Sequence, residues 1–374
     1  ASARKAWRIL ADWHDKYHLL HGMTFDFWHP HDDQLPLYRE CLEIFRGKGV
    51  FLACEDTPLN ARTMEKFAKY LTPEDDVGIL IDLGHMNVRQ WMNERHEPED
   101  FLQVFQQLPM KVRELHLHDN KGRKDEHREV GYGNLPMRAV VDAAKARHAV
   151  IRIGVNSGSV EKDLLDRFGG PTPEALVESA LRHVRLLEKR GFADIKVSLK
   201  SSSVPGTVEA CRLMAARADY PLHIGVTETG TARMGTIKSA MGIGALLCQG
   251  IGDTMRVSLT ADPVQEVLTA KDILKAAGLR KTGVNIVACP TCGRTRIDLI
   301  GLANQVEQAL AACEKPITVA VMGCVVNGPG EAREADIGIA GGDGCGILFV
   351  RGKQLKKLPY DELLPTLLEY IEKL

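Results

Sequence analysis

The chain has 374 residues, with 48 Lys and Arg against 49 Asp and Glu, and 44% hydrophobic residues. That length suits two domains, or one barrel with an appendage. A net charge of −1 leaves no basic footprint for nucleic acid or an anionic membrane, and no apolar run nears the roughly 20 residues a bilayer span needs. No basic flank and apolar core follow Ala1-Ser2-Ala3-Arg4, so no secretory signal is expected there. Nine cysteines is an odd number in a chain too large to need disulfide staples, and a reducing, cytoplasmic setting is expected. Eleven of the thirteen histidines precede residue 150 and seven of the nine cysteines follow it, so the two halves should carry different chemistry.

Short apolar, β-branched runs alternate with amphipathic stretches, the pattern of parallel strands joined by helical crossovers. Strands are expected at 18–22, 50–56, 77–84, 114–119, 149–156, 194–200, 222–229 and 253–260. Polar groups stand near their carboxy-terminal ends: Glu55, Asp82 with His85, His116 with His118 and Asp119, Arg152 with Asn156, Lys200, Glu228, and Arg256 with Ser258. Such a series of strand ends is what the active face of a (β/α)8 barrel requires, and a doubly wound open sheet is the structural alternative. A helix at 261–278 and a polar bridge at 279–283 lead to further strands at 284–288, 317–322, 336–340 and 346–350, with helices at 298–313 and 360–374. The expected architecture is α/β: a TIM-type barrel over 1–282, then a small α/β domain over 283–374.

Cys289-Pro290-Thr291-Cys292 directly follows one of these strands, and Cys324 follows the next, inside Gly323-Cys324-Val325-Val326-Asn327-Gly328-Pro329-Gly330-Glu331. A CxxC alone serves zinc, a redox dithiol or an iron–sulfur cluster equally well. Glycines and a proline around Cys324 let the backbone approach a bulky inorganic group and donate N–H bonds to its sulfides. Three thiolates are one short of a closed tetrahedral site, and Glu331 or Cys345 is the nearest candidate for the fourth ligand. A structural zinc site remains the alternative.

These motifs strongly resemble the iron–sulfur domain of the 4-hydroxy-3-methylbut-2-enyl diphosphate synthase family. The resemblance extends upstream through Ile151-Arg-Ile-Gly-Val-Asn-Ser-Gly-Ser159, Lys196-Val-Ser-Leu-Lys200, Gly225-Val-Thr-Glu-Thr-Gly230 and Gly252-Asp-Thr-Met-Arg-Val-Ser258, and so covers about 135–374. It implies a 4Fe-4S cluster on Cys289, Cys292, Cys324 and Glu331, and reductive ring opening of 2-C-methyl-D-erythritol 2,4-cyclodiphosphate in the non-mevalonate isoprenoid pathway. It also implies flavodoxin or ferredoxin as electron donor and a homodimer. Mapped by motif, Arg152, Asn156, Lys200, Arg256 and Ser258 should bind substrate, with Glu228 and Glu331 catalytic. Two phosphates need cations and fixed donors, which these side chains supply.

Residues 18–134 lack the usual first half of that family. Glu55-Asp-Thr-Pro58, Ile81-Asp-Leu-Gly-His-Met-Asn87 and His116-Leu-His-Asp-Asn-Lys-Gly-Arg-Lys-Asp-Glu-His127 resemble instead the xylose isomerase-like and endonuclease IV-like barrels. By that resemblance Glu55, Asp82, His85, His118, Asp125 and His127 are candidate ligands for a divalent metal. The chain thus reads as two half-barrels, 1–134 and 135–282, joined near Gly131-Tyr-Gly-Asn134. A metal-dependent isomerase or endonuclease-like barrel with a passenger cluster domain, and a non-catalytic chimera, are the functional alternatives.

Overall fold

A computed structural model of the chain describes residues 8, 22–26, 40, 43, 44, 46, 51–55, 77–92, 111–124, 126, 128–311, 313–324 and 332–374. It separates into two compact units, Ala1–Ala277 and Gly278–Leu374.

In the first unit, strands β1 (Gly22–Asp26), β2 (Phe51–Glu55), β3 (Val77–Asp82), β4 (Lys111–Leu117), β5 (Val150–Asn156) and β6 (Ile195–Lys200) form one parallel sheet in chain order. A bridge between Val197 and Leu222 leads on to the parallel pair β7 (His223–Ile224) and β8 (Thr254–Met255). Among the described residues the intervening helices are α1 (Leu83–Met92), α2 (Met137–Ala146), α3 (Lys162–Phe168), α4 (Pro173–Glu188), α5 (Val204–Ala215), α6 (Ala232–Leu247) and α7 (Pro263–Ala276). A doubly wound sheet would reverse its order about a central strand. This one adds each strand beside its predecessor, as a singly wound TIM-type barrel does. The first strand is Gly22–Asp26 rather than 18–22: the β-branched and aromatic pair Thr24-Phe25 lies there, beyond the Leu-Leu run that suggested the earlier position.

Alternation on β5 decides what the site can be. Ile151, Ile153 and Val155 are buried with the helix-facing core, while Arg152, Gly154 and Asn156 point the other way. Helix α4 lies over β5 and β6 and starts crisply because Thr172 accepts from the Ala175 amide and Pro173 occupies the first turn. Each large side chain this helix buries, such as Leu176 and Leu187, contributes roughly 1.5–3 kcal/mol.

The second unit is a five-stranded sheet in the order β13-β12-β11-β10-β9, with β9 (Asn285–Ala288), β10 (Thr318–Met322) and β11 (Ile337–Gly341) parallel. Strands β12 (Cys345–Val350) and β13 (Lys353–Pro359) run antiparallel to their neighbours. Helices α8 (Leu299–Leu310) and α9 (Leu363–Lys373) bury Leu302, Val306, Leu367 and Ile371 in a core with Val319, Val321, Ile337 and Ile339. Strand β13 was not expected. Its Lys-Gln-Leu-Lys-Lys-Leu sequence lacks clean alternation because it is an exposed, lysine-bearing edge strand. Among the described residues, no helix is long and apolar enough to cross a membrane.

Candidate functional site

The ladders of β3 to β6 place Asp82, His116, Arg152 and Lys196 directly opposite one another in sequence. Paired residues on parallel strands project from the same face, so one row of ionisable side chains crosses four strands. A register shift between Ile79 and Leu80 makes this possible. It inserts Arg113 as an extra residue of β4 and turns Glu114, His116 and His118 to the face that carries Asp82.

The acidic and imidazole end of the row centres on Asp82. Its Oδ1 lies 2.6 Å from His118 Nε2 and accepts from the His85 amide at 3.0 Å, which anchors the start of α1. His116 Nδ1 is 3.6 Å and His85 Nδ1 3.9 Å from the same carboxylate. Burial would raise the pKa of Asp82, but the bonds from His116 and His118 outweigh it and hold the carboxyl well below the usual range. Asp82, His85 and His118 each offer a ligand atom within 4.8 Å of the others. This is the part of the expected divalent-metal set that the structure brings together. Glu55 ends β2, and its side chain lies outside the described residues, as do Asp125 and His127 altogether.

The surroundings of this cluster are closely fitted. Gly84 passes so near the His118 imidazole that a Cβ would sit 1.9 Å from its Cε1. Asn87 donates to the Asn120 carbonyl, to Asn120 Oδ1 and to Asn134 Oδ1, and Asn120 donates to the Gly84 carbonyl at 2.8 Å. Asp119 accepts from the Gly131 and Gly133 amides at 2.9 and 3.0 Å, so the glycine-rich turn is fastened to β4. His183 on α4 accepts from the Val130 amide at 3.2 Å, and burial lowers its basicity, which suits an acceptor.

The other end of the row is cationic. Among the described residues Glu114 is the carboxylate that contacts it, with Oε2 2.5 Å from Lys196 Nζ and Oε1 3.4 Å from Arg152 Nε. Arg152 Nη2 also lies 3.2 Å from His116 Nδ1. His116 Nε2, on the other side of the ring, faces Glu114 Oε1 at 3.2 Å. Burial opposes ionisation of Glu114, but His116, Lys196 and Arg152 together bring its pKa down to about 2. Lys200 falls to about 7, by burial first and then by repulsion from Arg152 and Arg256. His223, bonded to the Thr254 hydroxyl at 2.9 Å, falls to about 2 through burial and the nearby Lys200, Arg152 and Lys196. Arg152, Lys196, Lys200 and Arg256 therefore share one region of the sheet, an arrangement that attracts an anion.

Of the substrate residues expected from sequence, Arg152 and Arg256 both lie within electrostatic reach of Lys200. Asn156 faces Lys200 across the ladder and caps a short turn through the Ser159 hydroxyl. Glu228 is exposed on the loop after β7 with φ 52°, a conformation non-glycine residues seldom adopt and which concentrates at functional sites. The Thr229 hydroxyl beside it donates to the Ser258 carbonyl and ties the loops after β7 and β8 together. Sequence reasoning overlooked Glu114, Lys196 and His223. Two-residue periodicity could have found the first two, since they share a strand face with His116 and Lys200.

In the second unit Cys289 follows β9, Cys324 follows β10, and Cys345 opens β12, whose direction is reversed. All three consequently lie at one end of the sheet. The Gly323 amide donates to Cys289 Sγ at 3.2 Å. The Arg294 amide and side chain bring the Cys292 thiol below its usual range, and Cys324 is buried. Amide donation to sulfur and an acidified thiol are what thiolate ligation of a metal or cluster needs, so this donor set fits such a group. Glu331 lies outside the described residues.

The family model described as the GcpE TIM-barrel domain matches 127–271, and that of the GcpE protein C-terminal domain matches 285–373. A xylose isomerase-like TIM barrel matches 19–186, overlapping the former across β5 and α4. Among solved structures, a D-tagatose 3-epimerase-like protein aligns with TM-score 0.35 and 17% identity, over 49% of this chain and 66% of that one. The 4-hydroxy-3-methylbut-2-en-1-yl diphosphate synthase (flavodoxin) of Clostridium perfringens is 57% identical over 64% of this chain and 70% of its own length. That of Caldanaerobacter subterraneus subsp. tengcongensis is 60% identical over 64% of this chain and 67% of its own length. At that identity and coverage, the chain belongs to the 4-hydroxy-3-methylbut-2-en-1-yl diphosphate synthase family.

Proposed function

We propose that the chain is an iron–sulfur oxidoreductase of isoprenoid biosynthesis that opens the ring of 2-C-methyl-D-erythritol 2,4-cyclodiphosphate reductively, as a 4-hydroxy-3-methylbut-2-en-1-yl diphosphate synthase. The observation that carries this reading is the gathering of Arg152 on β5 and Arg256 just after β8 around Lys200 at the end of β6, in a chain 60% identical over 64% of its length to such a synthase. The barrel, 1–282, binds the diphosphate. Arg152, Lys200 and Arg256 supply charge for the phosphates, while Asn156 and Ser258 fix hydroxyl and phosphate oxygens. Glu228, held in its strained conformation on the loop after β7, handles a proton. The domain 283–374 would hold a 4Fe-4S cluster on Cys289, Cys292 and Cys324, with Glu331, or else Cys345, as fourth ligand and Glu331 also catalytic. When bound, the cluster supplies single-electron transfer. The relatives are named for flavodoxin, and flavodoxin or ferredoxin is the expected donor here, to a homodimer in the cytoplasm.

A second reading has its own support, because Asp82, His85 and His118 converge on one point at 4.8 Å or less. Those three side chains, with Glu55, Asp125 and His127 as further candidates, would hold a divalent metal in the first half-barrel. One preparation tests both readings. After anaerobic reconstitution, the wild-type chain should bind iron and sulfide, show a visible band bleached by dithionite, and turn over the cyclodiphosphate. Cys324→Ser should lose the band and the turnover together. Iron loading without turnover would overturn the synthase reading. Zinc or manganese kept by the Cys324→Ser protein, and lost from His118→Ala, would support the second site.

A further inference from the structure

We infer that Glu114 is a built-in competitor for the anion site: its carboxylate occupies Arg152 and Lys196, and a phosphate group must displace it to bind there. This rests on the reading that the cations of β5 and β6 hold the diphosphate. Glu114 sits 2.5 Å from Lys196 Nζ and 3.4 Å from Arg152 Nε, each partner at least three-quarters buried. A carboxylate spanning an ammonium and a guanidinium presents two oxygens, one to each cation, as a phosphate would. No other carboxylate contacts these two cations among the described residues, whereas Lys200, its basicity lowered first by burial, also feels the repulsion of Arg152 and Arg256.

The origin of the two partners is the second observation. Arg152 and Lys196 fall inside the stretch matched by the GcpE barrel, 127–271. Glu114 falls outside it, in the stretch matched by the xylose isomerase-like barrel alone. The anion-binding cations therefore meet a carboxylate from a strand that the synthase-like segment does not supply. The hydrogen bond from His116 and the β4 register hold that carboxylate in place, so the competition is structural rather than incidental.

The test is binding of inorganic pyrophosphate to the full chain by calorimetry, comparing wild type with Glu114→Gln. Asp163→Asn serves as a control that makes the same change in charge at an exposed surface pair. Glu114→Gln should bind pyrophosphate at least ten times more tightly than wild type. Without the anion it should melt at lower temperature, and pyrophosphate should raise its melting temperature more than that of wild type. If Glu114→Gln does not fold, Glu114→Asp withdraws the carboxylate by one methylene and should give a smaller gain of the same sign. Equal or weaker binding by Glu114→Gln, or an equal gain in Asp163→Asn, would overturn the competition while leaving the cationic clamp intact. No binding by either protein would remove the clamp itself, and the competitor with it.

Discussion

Strands β3 and β4 and strands β5 and β6 belong to one parallel sheet, yet their inward faces carry opposite chemistry. The first pair presents Asp82, Glu114, His116 and His118, and the second presents Arg152, Lys196 and Lys200. On the acidic side the carboxylate is buried among imidazoles, a setting for a cation. On the basic side burial, and after it repulsion from Arg152 and Arg256, draws Lys200 down to about 7, a setting for an anion. Glu114 is the point where the two meet. Each side is poised for a ligand of the opposite sign to its neighbour's, so what either binds depends on how firmly the border between them is closed.

The comparison can be broken hardest on the acidic side. His118→Ala removes a 2.6 Å charge-assisted bond to the buried Asp82 and leaves a void beneath Gly84. A loss of roughly 3 kcal/mol is expected in chemical denaturation. Retention of wild-type stability would show that His116 and His85 already satisfy that carboxylate. The basic side gives the next effect. Arg152→Ala removes one fork of charged donors and should weaken pyrophosphate binding by roughly 10- to 100-fold, about 1.5–3 kcal/mol. An unchanged affinity would locate the anion elsewhere.

The smallest effect sharpens the comparison through pH. The folded-state pKa of Lys200 is depressed, so below about 7 it is charged and favours an anion, and above about 7 it is neutral and does not. Pyrophosphate affinity should therefore fall several-fold as pH rises from about 6 to about 8, and Lys200→Met should abolish that dependence. Glu114 contributes nothing to this profile, because with a pKa of about 2 it stays ionised throughout. Its own stabilisation is complete above its ordinary pKa near 4.5 and is lost as pH falls from there toward 2.

Much of this was legible in the sequence, and the reasons for the exceptions are specific. The barrel class could be read from repeated apolar runs with polar ends because that pattern is local to each βα unit. The thiol motifs were equally local, with Cys289 and Cys292 on one turn and Cys324 set among glycines. Glu114 and Lys196 were missed because they lie inside strands, where a charged residue reads as an exposed position until the partner strand is known. The extra residue at Arg113, which decides the face that Glu114 occupies, depends on pairing between strands and leaves no mark in the local pattern. Strand β13 was hidden for a related reason: an edge strand needs charge on it, and charge conceals it.

The exposed position of Cys292 has one more consequence. A thiol acidified by a neighbouring arginine and open to solvent is the sulfur of this unit most readily attacked by oxidants and electrophiles. Its two companions are better sheltered, Cys324 by burial and Cys289 by partial cover and the Gly323 amide. The feature that readies the site to capture a metal thus makes its empty form perishable, and damage should enter through this one residue before the others.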